Sequence, residues 1–110
     1  MLNNFLLTYS VKAQDFSESN KEKASKVRDE IAELNCWDKL DEVETTFRGE
    51  INASGSLDSE RKKSAIRAVE EQFQPVLKKH HASSHKVKIF CAMMLDNVDI
   101  PFYFTIENKL

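Results

Sequence analysis

Few residues in this chain have the types and spacing that chemistry requires. Tyr9 and Asp15, near the end of the first apolar stretch, are the best local candidates for a catalytic pair. Proton transfer needs such groups to converge in one pocket. Tyr9, however, falls on an alternating apolar stripe that fits a core position, and Asp15 sits where it could simply cap a turn. His80, His81 and His85 are the only histidines. The adjacent pair faces different directions on a helix, so a solvated helix end is the simpler reading than a transition-metal site. Cys36 and Cys91 lie far apart with no CxxC spacing, which disfavours a zinc site, and Cys91 falls on an apolar stripe as a small core residue. No glycine-rich phosphate loop, GxSxG elbow, HExxH or EF-hand loop occurs. No metal or cofactor is expected.

Binding chemistry has more material. Arg48, Lys88 and Tyr103 fall on the polar sides of alternating stretches, together with Thr8, Ser10, Glu50, Phe90 and Thr105. Basic groups beside aromatic rings suit phosphate contact and base stacking on single-stranded RNA. Arg61, Lys62, Lys63 and Arg67 are the one dense basic cluster, and helical spacing puts Lys63 and Arg67 on one side, a turn apart. A protein partner is the other possibility. Trp37 is followed by Asp38, Asp41 and Glu42, an aromatic anchor beside acids that would suit a basic toxin. Residues 13–58 carry 12 acidic against 6 basic side chains, whereas residues 59–110 carry 9 basic against 6 acidic. Such asymmetry permits a charged partner or self-association.

The elements that would position these residues follow from periodicity. Phe5, Leu7, Tyr9 and Val11 alternate within a strand over residues 4–12. Ser19 and Glu22 have capping-box spacing, predicting a helix to about Asn35 with Ala24, Val27, Ile31 and Leu34 on one stripe. Trp37 would close its end over the sheet. Residues 42–51 alternate, with Val43, Thr45, Phe47, Gly49 and Ile51 on one side. A second helix begins near residues 56–58 and carries Ile66, Val69, Phe73 and Leu77, with a kink or irregularity expected at Pro75. The last quarter is a hairpin. Val87, Ile89, Cys91, Met93 and Leu95 share one face of its first run, and Phe102, Phe104 and Ile106 do so on its second.

The expected fold is α+β in one domain over residues 1–110: a ferredoxin-like sandwich with two helices on one face of an antiparallel sheet of about four strands. A strict match would want a strand pair between the helices, and the sequence offers one clear strand there. A charged fraction of 31% and an apolar fraction of 41% belong to a globular protein rather than a disordered tail. No apolar run approaches the roughly 20 residues of a membrane helix. The N-terminus has no basic segment or adequate hydrophobic region for a secretory signal, so a cytoplasmic location is expected.

The run Phe5-Leu6-Leu7-Thr8-Tyr9-Ser10-Val11, followed by a helix and then the strand Val43–Ile51, resembles two groups of small ferredoxin-like proteins. These are the CRISPR-associated adaptation nucleases and the GhoS-type antitoxin endoribonucleases. The resemblance implies a homodimer with exchanged C-terminal strands and action on RNA in an antitoxin or phage-defence setting. In that pattern the first strand usually ends with an aspartate; here Ser10 stands in its place and Asp15 comes later, in the loop. The expectations are therefore two: an RNA-binding or RNA-processing homodimer, and a protein-binding module such as an immunity protein that masks a toxin.

Overall fold

The computed structural model describes residues 2–109. The chain runs β1 (Asn3–Ala13), α1 (Glu18–Ala32), β2 (Asp38–Lys39), β3 (Thr46–Ile51), α2 (Asp58–Lys79), β4 (Val87–Leu95) and β5 (Phe102–Ile106). The strands form a single open sheet in the order β2-β3-β1-β4-β5, with every neighbouring pair antiparallel. The described residues thus form an α+β fold with two helices and five strands, one strand more than the sequence predicts.

The added strand is β2, which alternation alone cannot reveal because it is two residues long. It pairs Asp38 with Arg48 and Lys39 with Phe47. The stretch from residue 42 to 45, read as the first half of a longer strand, instead belongs to the connection of this hairpin, residues 40 to 45. Turn bonds from Thr46 N to Val43 O (3.0 Å) and from Leu40 N to Thr46 O (2.9 Å) reverse the chain there. The acids Asp41, Glu42 and Glu44 stay in water, and β3 begins only at Thr46.

One sheet face carries the core. Phe5, Leu7, Tyr9 and Val11 of β1 and Val87, Ile89, Cys91, Met93 and Leu95 of β4 are buried on it, under Ala24, Val27 and Ile31 of α1 and Val69, Phe73 and Leu77 of α2. Burying this apolar stripe is what holds two helices that are otherwise highly charged. Trp37 packs on the same side, edge-on to Phe5 with ring centroids 5.0 Å apart and close to Phe47 and Phe73. Gly49 makes room for it: a methyl group there would meet Trp37 Cδ1 at 2.9 Å.

The helix ends differ from expectation in instructive ways. Ser17, not Ser19, caps α1, its Oγ accepting from Asn20 N at 3.2 Å. Asp15 in turn accepts from Ser17 N and Oγ at 3.0 and 2.7 Å, so the cap is built two residues earlier than the spacing of Ser19 and Glu22 implies. The helix ends at Ala32. α2 continues through Pro75 to Lys79, where the missing N–H falls on an exposed side near the helix end. His81, at φ 52°, then closes it: Ala82 N reaches Leu77 O and His81 N reaches Lys78 O, a left-handed C-cap.

Candidate interaction face

Among the described residues no helix covers the second face of the sheet. Its side chains alternate with the core positions: Leu6, Thr8, Ser10 and Lys12 from β1, Arg48 and Glu50 from β3, Lys88, Phe90, Ala92 and Met94 from β4, and Tyr103 and Thr105 from β5. Register fixes the neighbours. Leu6 lies between Arg48 and Met94; Thr8 lies between Thr46 and Ala92, with Tyr103 beyond; Ser10, Phe90 and Thr105 form the next row.

Much of this surface is apolar yet open to solvent. Leu6, Phe90, Met94 and Tyr103 are all exposed, Tyr103 by 80% and Met94 by 56%. A groove of about 320 Å³ runs between Leu6, Met94 and Tyr103 on the strands, Leu40 and Val43 on the hairpin connection, and Pro101 before β5. A neighbouring depression of about 400 Å³ is lined by Thr8, Ser10, Phe90, Tyr103 and Thr105. Thr46 also points to this side but is buried, lining the first groove beside Leu40 and Val43. Val43, itself half exposed, is flanked by Glu42 and Glu44, so one rim of the groove is acidic.

The five residues considered for nucleic acid do not share a surface. Arg48, Lys88 and Tyr103 are on the open face, whereas Lys63 and Arg67 are exposed on α2, which covers the opposite face. Arg48 is opposite Leu6 and Lys88 is opposite Lys12, six residues along β1, which separates them by about 20 Å. Both cations also have carboxylates at hand: Asp38 at 4.0 Å from Arg48 and Glu107 at 3.4 Å from Lys88.

The partner-binding candidates are divided as well. Trp37 is partly buried in the aromatic cluster beneath the helices. Asp38 lies on β2, and Asp41 and Glu42 lie in the exposed connection beside the apolar groove.

Tyr9 and Asp15 are not brought together. The Tyr9 ring is buried on the core face, stacked on Phe47, and its hydroxyl has no hydrogen-bond partner among the described residues. Burial pushes its pKa up, partly offset by the nearby Arg28 guanidinium. Asp15 is exposed, and its bonds from Ser17 hold its carboxyl below the usual range. The thiols are no better placed for nucleophilic chemistry. Burial pushes Cys91 up to about 12 and also raises Cys36.

At the far side of the molecule, Glu30 of α1 accepts from Lys79 at 3.0 Å and meets His80 Nε2 at 2.9 Å. Lys23 Nζ donates to His80 O at 2.8 Å. These groups clasp the two helices together, with the Lys79 hydrogen bond the main cause of the lowered Glu30 pKa. No group of three or more His, Cys, Asp or Glu among the described residues is arranged to hold a metal ion.

The residues that most define the face, Leu6 and Met94, were not singled out by their chemistry. A signal for them does exist. They are large apolar side chains at the even positions of strands whose odd positions already fill the core. No protein-family model matches the chain, and no curated protein or solved structure is similar to it.

Proposed function

We propose that this chain is a protein-binding module, an inhibitor or immunity protein in kind, that holds its partner across the open face of the sheet. The observation that carries the reading is the contiguous apolar surface of Leu6, Phe90, Met94 and Tyr103, which no element among the described residues covers. Apolar patches of this sort on soluble domains mark interaction sites more often than they are incidental. The acids beside Val43 give the patch a negative rim, so the fitting partner presents apolar side chains flanked by basic ones. A basic protein toxin has that chemistry, and the opposed charges would speed its encounter. The antiparallel order β2-β3-β1-β4, with both helices on one face, supports a ferredoxin-like core to which β5 is an added edge strand. A cytoplasmic setting fits this reading.

A second reading rests on its own observation. Phe90 and Tyr103 present exposed rings on the same face as Lys12 and Lys88, a platform on which bases of single-stranded RNA could stack. The separation of Arg48 from Lys88 and the carboxylates beside them make this the weaker of the two.

Paired charge substitutions test the choice. Leu6→Lys/Met94→Lys should abolish retention of the partner that the wild-type protein captures from its host, while Lys63→Glu/Arg67→Glu on the helical side should leave it intact. Binding of a short mixed-sequence RNA that strengthens in the first variant and falls steeply with salt would favour the second reading. A partner retained equally by all three proteins would remove the open face from consideration.

A further inference from the structure

The groove of about 320 Å³ on the open face has a definite construction. Register sets Thr46, Thr8 and Ala92 side by side across β3, β1 and β4, so its floor is a row of small side chains. Larger ones stand around them. Tyr103 follows beyond Ala92 on β5, Met94 occupies the next row, and Val43 comes from the hairpin connection. A trough between taller neighbours suits one bulky side chain, the kind of anchor on which protein interfaces depend.

One polar group is built into this apolar lining. Thr46 is only 4% exposed, and its backbone is engaged in the turn by Val43 O and Leu40 N. The neighbouring Thr8 donates its hydroxyl proton to Thr45 O at 3.2 Å, whereas the Thr46 hydroxyl has no hydrogen-bond partner among the described residues. A buried hydroxyl without a bond has lost its water and gained nothing in return. Because Thr46 lines the groove, a bound group can supply that bond. The rim is unsatisfied too. Asp41, Glu42 and Glu44 have no salt-bridge partner among the described residues, and the cation of β3, Arg48, faces Asp38 instead.

We propose that the occupant is a single tryptophan side chain of the partner protein, set between basic residues, with its indole N–H donated to Thr46 Oγ1. The inference rests on the open-face reading and names what is recognised there. Indole is flat enough to lie along the Tyr103 ring, and aromatic rings attract the thioether of a residue such as Met94. It carries one donor and no acceptor, which matches one unpartnered hydroxyl oxygen. Phenylalanine would fill the trough but leave that oxygen unpaired. Arginine or lysine on either side of the tryptophan would meet the three free carboxylates. A second copy of this chain cannot supply the group. Its one tryptophan, Trp37, is packed among Phe5, Phe47 and Phe73 beneath the helices.

Methyl-resolved NMR titration of the full chain with a short peptide, one tryptophan flanked on both sides by arginines, tests the assignment. Shifts should centre on the methyl groups of Val43, Thr46 and Met94, while those of Val27 and Val69 under the helices stay in place. Exchanging the tryptophan for its N1-methyl analogue should weaken binding by roughly three- to tenfold, the worth of one hydrogen bond. Glutamates in place of the arginines should weaken it further at low salt. Thr46→Val keeps the shape of the floor and should erase the preference for the unmethylated peptide. No shift at the groove with millimolar peptide would overturn the proposal, as would equal binding of the two peptides by wild type. Groove shifts that grow with protein concentration alone would give the site to a second copy and overturn it as well. If the titration fails while Leu6→Lys/Met94→Lys still abolishes retention of the host partner, the tryptophan is overturned and the open-face reading stands.

Discussion

Tyr9 shows what a single residue can and cannot say. Its place on an alternating stripe makes burial legible from sequence, whereas the isolation of its hydroxyl depends on Phe47 and Phe73, which arrive from distant parts of the chain. A buried hydroxyl with no partner costs desolvation and returns no bond. Tyr9→Phe should therefore leave stability unchanged or raise it by about 1 kcal/mol in urea unfolding; a clear loss would reveal a bond to the hydroxyl. The pH dependence has a definite sign. Because burial raises the folded pKa, the unfolded chain gives up its tyrosine proton first as pH climbs past about 10. The share of stability due to Tyr9 is present below that value and is lost as pH rises through the folded pKa. The Phe variant should lack that share of the alkaline loss.

At the scale of elements, long periodic segments declare themselves and short ones do not. β1, β4 and β5 follow from alternation, and the stripes of α1 and α2 follow from helical spacing. β2 is invisible to periodicity because two residues have no period, and its presence turns the stretch from residue 42 to 45 from strand into connection. Ser17 displaces Ser19 as the cap because Asp15 secures the turn before it, a contact that spacing rules for the capping box do not include. Trp37 reads first as a helix-end cover and second as an exposed anchor, and Gly49 beneath it leaves the room that the cover needs. Gly49→Ala would drive a methyl group into the Trp37 ring, whose shift would disturb Phe5 as well. The expected cost is about 2 kcal/mol in equilibrium unfolding, as for other overpacked sites. No measurable cost would mean that Trp37 is not seated there in solution.

For the molecule as a whole, the decisive feature is the asymmetry of the sheet. Both helices cover one face, and the other offers apolar side chains to water beside an acidic rim. The sequence contains this asymmetry, since Leu6, Phe90 and Met94 occupy even positions on strands whose odd positions form the core. What it cannot convey is that no other element among the described residues folds over them. The direct measurement is photo-crosslinking in the native host, with a photoreactive residue at position 94 on the open face or, for comparison, at position 63 on the helical face. A discrete protein adduct from position 94 and none from position 63 is the result the docking account requires. Adducts from position 63 alone, or RNA in place of protein at position 94, would contradict it.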